Sequence, residues 1–171
     1  MADRTFLVLG GAGMVGFEVA HQVATQLHPE RIILASLPAD GVARAVARLQ
    51  GLVGSGVQIA GESGDLFVRE EFSSRPRREL FDDPACRRAI FDDLFGPLDA
   101  AYERSRLARL VAAWRPDVVI DAINTATAIS YQDVTTAAVL AERDVEALGA
   151  GREVDPARLA QTVETLVLSL S

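Results

Sequence analysis

Thr5-Phe6-Leu7-Val8-Leu9-Gly10-Gly11-Ala12-Gly13-Met14-Val15-Gly16, near the start of a 171-residue chain, joins an apolar, partly β-branched run to four closely spaced glycines. An apolar run without polar alternation predicts a short strand buried on both faces, the pattern of a parallel sheet. Beyond it Val15, Val19, Val23 and Leu27 recur at every fourth position, with Ala20 and Ala24 beside them. That stripe predicts an amphipathic helix from Gly13 to Leu27, ended by His28-Pro29. Between strand and helix, Gly11, Gly13 and Gly16 match G-x-G-x-x-G. The first glycine is expected to make the tight turn and the second to let backbone amides reach a ligand with no Cβ in the way. The third is expected to let helix and strand pack closely. The helix N-terminus adds free N–H groups and a partial positive charge.

Gly10, Gly11, Ala12, Gly13, Met14, Val15 and Gly16 are therefore expected to hold the pyrophosphate of a dinucleotide. The competing reading is a glycine turn with only a structural role. A nucleotide-triphosphate loop is excluded, because its G-x-x-x-x-G-K-[ST] needs a lysine and all 17 basic residues are arginine.

Working outward, Arg31 to Ala35 predicts a second buried strand, and Asp40 is expected to cap a helix carrying Val42, Val46 and Leu49. Gly56 to Ala60 predicts a third strand with Val57 and Ile59 on one face. The glycines at 51, 54, 56, 61 and 64 punctuate its ends, and Asp65 to Val68 continues from it. Residues 69–98 mix arginines and acids and read as a surface excursion. Within it Asp83-Pro84 opens a helix to about Phe95, closed by Gly96-Pro97. Leu107, Leu110, Val111 and Trp114 have the spacing of a core-facing helix, stopped by Arg115-Pro116 before a fourth buried strand at 117–121. Val134, Ala138, Ala141, Val145 and Leu148 mark the inward face of another helix. Asp155-Pro156 starts a last one, with Leu159, Val163, Leu166, Val167 and Leu170 inward. Strands alternating with helices predict a single α/β domain over 1–171: a doubly wound parallel sheet with helices on both faces.

Composition narrows the partners. Apolar residues make up 49% and charged residues 24% of the chain, as in folded globular domains. A formal charge of −7 opposes nucleic acid and anionic lipid as partners. No apolar stretch approaches the ~20 residues of a membrane span, and no signal peptide is evident. The single cysteine, Cys86, cannot form an internal disulfide and reads as a buried structural thiol; a reducing cytoplasm is the expected compartment. His21 and His28 lack a third ligand and read as surface residues, so no metal site is expected.

Read as Gly10-x-x-Gly13-x-x-Gly16, the loop resembles that of the short-chain dehydrogenase/reductase superfamily, in particular its extended, epimerase-like branch. Gly64-Asp65-Leu66 resembles that branch's Gly-Asp-Leu, and Pro116-Asp117-Val118-Val119-Ile120 resembles its fourth strand. The resemblance implies a Rossmann-like NAD(P)-binding fold. It places Asp65 and the Leu66 amide near an adenine, and Ala122, Ile123, Asn124 and Thr125 against the cofactor ribose. Asp65 reads equally as a solvated turn residue, and Asn124 and Thr125 as turn formers. At the end of the second strand, where an acid would hold the 2′-hydroxyl of NAD, the chain has neutral Ser36, with Arg44 nearby. Together they favour NADP over NAD.

The family's acid/base tyrosine works with a lysine four positions later, and that pair cannot be built without lysine. Tyr102 with Arg106 precedes the fourth strand, the wrong place, and Tyr131 has no partner; no catalytic residue is assigned. The resemblance therefore implies the cofactor-binding part of an oxidoreductase or epimerase, with a sheet incomplete at its C-terminal side and no turnover by this chain alone. The alternative is a non-catalytic module that senses NAD(P) and acts through a partner protein. A third reading is a domain whose loop binds nothing. A sheet ending with the fourth strand beside the first would leave an apolar edge, predicting a homo-oligomer or a partner chain covering it.

Overall fold

The structure, a computed structural model, describes residues 4–124 and 134–168. It divides into two compact units, Met1–Arg75 with Leu98–Asn124 and Pro76–Pro97 with Thr125–Ser171. The first holds β1 (Thr5–Leu9), α1 (Met14–Leu27), β2 (Arg31–Ser36), α2 (Ala39–Val53), β3 (Gln58–Ser63), α5 (Leu98–Arg104), α6 (Arg106–Trp114) and β4 (Val118–Asp121). The second holds α3 (Arg77–Asp82), α4 (Pro84–Phe95), α7 (Val134–Gly149) and α8 (Pro156–Leu168).

The sheet of the first unit is parallel throughout, in the order β3-β2-β1-β4. Every residue of β1 is buried, and so are the four central residues of β2. Their odd and even side chains enter different cores. Phe6, Val8, Ile32 and Leu34 pack with Phe17, Ala20 and Leu49 of α1 and α2, while Leu7, Leu9, Ile33 and Ala35 pack with Leu110 of α6. Helices thus cover both faces, the doubly wound α/β arrangement that the uninterrupted apolar runs predict. Two helices end alike, with a left-handed residue followed by proline: His28 (φ 46°) after α1 and Arg115 (φ 45°) after α6. The proline bars continuation of the helix.

Several local expectations are corrected. The third strand runs from Gln58 to Ser63, so Gly61 lies inside it and does not punctuate an end. A Cβ at Gly61 would come within 2.6 Å of Val42 and 2.8 Å of Val46, so the glycine exists to let α2 close on the strand. Asp65 to Val68 is not strand but the turn beyond it. Asp40 does not cap α2, because Pro38 holds the N-cap position and Asp40 lies in the first turn. The fourth strand is not buried on both faces: Val118 and Ile120 pack against the α1–α2 core, while Val119 is 47% exposed. It is an edge strand, paired among the described residues only with β1. Asp117 secures its entry, its carboxylate accepting the Thr5 N–H at 2.8 Å while its own N–H donates to the Thr5 carbonyl at 2.9 Å. Val111 of α6 is exposed, leaving Leu107, Leu110 and Trp114 to face the core.

A polar cluster that the sequence did not announce ties α6 to β3. The Arg106 guanidinium bonds Glu62 at 2.7 Å and Glu70 at 3.1 Å, and the Trp114 indole N–H donates to the other Glu62 oxygen at 2.7 Å. Arg106→Ala would leave two half-buried carboxylates without their shared cation. It is expected to cost about 2 kcal/mol of stability, read from urea denaturation; no change would mean that solvent screens the cluster.

In the second unit Asp83 caps α4, accepting the Ala85 N–H at 2.9 Å with Pro84 at the first helical position, as the sequence predicts. Leu80, Cys86 and Ile90 are buried, and Arg87 is held by Glu164 and by the Phe81 carbonyl. The face of α7 differs from expectation, whereas on α8 Leu159, Leu166 and Val167 are half-buried. Ala137 and Asp144 are buried on α7 and Thr162 on α8, whereas Ala138, Val145, Leu148 and Val163 are exposed. The inward face of α7 has turned by about one residue, which brings Asp144 to Arg158 of α8. The expectations for the Val134 side chain and for Leu170 lie outside the described residues. Among the described residues no helix is long and apolar enough to cross a membrane, and no group of three or more His, Cys, Asp and Glu side chains could hold a metal ion.

Candidate functional site at the carboxyl ends of the strands

The chain reverses its direction of travel across the sheet at β1: α1 leads to β2 on one side, and β4 is laid down on the other. A crevice outside the carboxyl ends of the strands at such a switch point is where open α/β sheets take their ligands. Here it is floored by the glycine loop. The Gly10 and Gly11 N–H groups both donate to the Ala35 carbonyl, at 2.8 and 3.2 Å, and the Gly13 N–H donates to the Gly10 carbonyl at 2.9 Å. The first turn of α1 closes with Phe17 N–H to the Gly13 carbonyl at 2.9 Å. The amides of Met14, Val15 and Gly16 therefore stand ahead of the intrahelical ladder, at the positive end of the helix. Met14 and Val15 are exposed.

Each glycine has a separate steric reason. Gly10, not Gly11, takes the left-handed conformation (φ 75°), and a Cβ there would lie 2.9 Å from the Ala122 carbonyl oxygen. The tight turn thus belongs to the glycine before the one the motif nominates, because the loop must clear the end of β4. A Cβ on Gly11 would meet Leu34 at 3.0 Å, and one on Gly16 would overlap the Gly10 carbonyl. Gly13 differs: its Cβ would touch only the Gly10 oxygen, at 3.1 Å, and otherwise enter open space.

That space is a groove of about 580 Å³ lined by Ala12, Gly13, Met14 and Phe17 on the α1 side and by Arg44 and Arg48 on the α2 side. Arg44 is not free in it, since its guanidinium bonds the Asp40 carboxylate at 2.6 Å. That hydrogen bond, with the charge of Arg44, holds the Asp40 carboxyl below the usual carboxylate range. The charged pair is therefore complete at neutral pH and dissolves only as pH falls through that lowered value. Arg48, which the sequence reading passed over, lies with its guanidinium 4.4 Å from the centre of the Phe17 ring. Its signal was present in the spacing: Arg44 and Arg48 are four apart and share a helix face.

The other candidates fall around the same edge. Ser36 ends β2, and its carbonyl accepts the Gly64 N–H at 3.1 Å. Asp65 is buried; one carboxylate oxygen accepts the Phe67 N–H at 3.0 Å, and its own N–H donates to the Ser73 carbonyl at 2.7 Å. Leu66 is buried in the α6-side core. The Ala122 N–H continues the sheet to the Leu9 carbonyl at 3.0 Å, the Ile123 N–H turns back to Asp121 at 2.9 Å, and Asn124 is exposed. Thr125 and Tyr131 lie outside the described residues. Tyr102 is exposed on α5.

No family model and no curated protein matches the chain. Solved structures do. A short-chain type dehydrogenase/reductase from Mycobacterium ulcerans is 18% identical with a TM-score of 0.45, over 99% of this chain and 46% of its own. L-Sorbose reductase from Gluconobacter frateurii, in complex with NADPH and L-sorbose, is 15% identical with a TM-score of 0.42, over 97% of this chain and 48% of its own. Menthone neomenthol reductase from Mentha piperita is 17% identical with a TM-score of 0.41, over 99% and 55%. The chain spans about half the length of these proteins.

Proposed function

We propose that the chain binds a nicotinamide dinucleotide across the carboxyl ends of β1, β2 and β4, as the cofactor-binding part of an NAD(P)-dependent oxidoreductase or epimerase. The observation that carries this reading is the glycine cradle at the switch point. Three of its glycines cannot accept a Cβ without meeting backbone or core atoms, and the fourth, Gly13, opens onto the groove. Such a cradle fits a pyrophosphate, with the Met14, Val15 and Gly16 amides donating to it. Asp65, Leu66, Ala122, Ile123, Asn124 and Thr125 are the residues proposed to meet the adenine and the ribose. When bound, the dinucleotide would supply hydride chemistry; the residues of this chain bind and orient it.

NADP is favoured over NAD, because Ser36 offers no carboxylate to a 2′-hydroxyl and the groove presents arginine. The lysine-free composition favours one second reading, a module that binds NAD(P) and reports to a partner protein without turnover. Titration with NADPH and NADH, followed by cofactor fluorescence and calorimetry, is expected to give saturable binding that is tighter for NADPH. Absence of binding of either at about millimolar concentration, the weak end of the affinity scale, would overturn the proposal.

A further inference from the structure

The turn that carries Asp65 and Leu66 is pinned from outside by one side chain. Arg106, at the start of α6, directs one guanidinium nitrogen to Glu62 at 2.7 Å, with the Ser63 carbonyl 3.4 Å away, and the other to both Glu70 oxygens at 3.1 and 3.2 Å. Its backbone N–H donates to the Val68 carbonyl at 3.1 Å. Glu62 lies on β3 before the turn and Glu70 follows it, so one residue grips the chain on either side of 64–68 and at its last carbonyl. The grip is stiff, because a guanidinium is planar and presents its donors in a fixed fork. The Arg106 side chain is only 16% exposed, so solvent screens these pairs in part. Glu62 is itself anchored: its other oxygen accepts the Trp114 indole N–H at 2.7 Å, and Trp114 packs in the same core as Leu66. Asp65, for its part, accepts the Phe67 N–H and donates its own N–H to the Ser73 carbonyl, contacts that shape the turn without tying it to α6.

Resting on the dinucleotide reading above, we propose that Arg106 is a positioning residue for the adenine: by clasping Glu62 to Glu70 it holds Asp65 and the Leu66 amide in the one arrangement that can read the base. An adenine presents its 6-amino donor beside the N1 acceptor, and a carboxylate with the next backbone N–H is the complementary pair. A loosened turn would hold that arrangement for only part of the time, and apparent affinity falls by that fraction. The guanidinium itself would touch no part of the ligand. Nothing in the sequence announces this use, since Arg106 stands there only as the residue four places after Tyr102.

The test is calorimetric titration of NADP and of nicotinamide hypoxanthine dinucleotide phosphate, whose base carries an oxygen in place of the 6-amino group, against the wild-type chain, R106Q, R106K and E70Q. Circular dichroism checks that each is folded. The wild-type chain is expected to bind NADP about tenfold more tightly than the hypoxanthine analogue. R106Q is expected to weaken NADP about tenfold and the analogue less than about twofold, so that the preference for adenine disappears. R106K, which keeps the charge without the fork, should recover part of that preference. E70Q, which leaves Arg106 and Glu62 in place, should lose about threefold of it. An Arg106 that served stability alone would lower the melting temperature and leave the ratio of the two affinities untouched in folded protein. Equal weakening of both ligands in R106Q, or an unchanged ratio in R106Q and E70Q, would overturn the inference; where R106Q does not fold, the E70Q ratio decides in the same sense. Equal wild-type affinity for the two dinucleotides would overturn it and leave the dinucleotide reading standing, whereas failure to bind either would overturn that reading itself and the inference with it.

Discussion

Gly13→Asp is expected to bind NADPH at least about a hundredfold more weakly than the wild-type chain while melting no lower. Gly13 occupies the N-cap of α1 in an extended conformation (φ −77°, ψ 165°) that aspartate adopts freely, and no side chain caps this helix. An aspartate there can accept from the Val15 or Gly16 amide, which stabilises the helix by a few tenths of a kcal/mol over glycine. Its carboxylate would complement the positive helix end for the same reason. Those amides are the donors proposed for the pyrophosphate, so the variant fills the site with its own anion. A second negative charge at about 4 Å adds repulsion of up to about 4 kcal/mol near a protein surface. Binding and stability should therefore move independently, by calorimetric titration on one side and thermal melting on the other. Unchanged affinity would remove the loop as the phosphate site. A lowered melting temperature would mean that the 3.1 Å approach to the Gly10 oxygen outweighs the capping gain.

Gly16→Ala is expected to fail in the opposite way, losing about 3 kcal/mol of folding stability together with cofactor binding. Intrinsic helix propensity argues for the reverse, since alanine within a helix is favoured over glycine by about 1 kcal/mol. The geometry overrides it. A Cβ at Gly16 would overlap the Gly10 carbonyl oxygen and lie 2.7 Å from the Gly10 carbonyl carbon and 3.0 Å from the Gly11 Cα. All three are backbone atoms. Gly10 and Gly11 are anchored in turn to the Ala35 carbonyl, and Gly10 lies against Ala122, so no flexible side chain can yield. Either α1 shifts away from β1, opening the core around Phe17, or the loop distorts. Urea denaturation with parallel NADPH titration distinguishes the outcomes. Stability equal to or above wild type would mean that the helix relaxes at no cost and that the third glycine is not a packing requirement.

Where an element lies between helices on both faces, or starts with a local cap, its side-chain pattern was readable. Phe6–Leu9 and Ile32–Ala35 are apolar throughout because both faces meet helices, and Asp83-Pro84 and Asp155-Pro156 mark helix starts through local hydrogen bonds alone. Where burial turns on one specific side-chain contact, the pattern misled. The stripe Ala138–Val145–Leu148 has helical periodicity, yet the pairing of Asp144 with Arg158 sets which face turns inward. Gly61 reads as a strand terminator in isolation and becomes a strand interior only because Val42 and Val46 descend on it. Val118–Asp121 reads as doubly buried, yet Val118 and Ile120 pack on a core while Val119, on the other face, is exposed.

The amino-acid sequence by itself determined the class of fold, the strand–glycine–helix junction, and the exclusion of lysine chemistry, since these rest on local geometry and composition. Tertiary structure alone decided which glycine carries the left-handed turn, because that depends on β4 ending against Gly10. It likewise decided that Arg48 rests on Phe17, since α2 must dock beside α1 before that side chain has a ring to meet, whereas the Asp40–Arg44 pair forms within α2 itself.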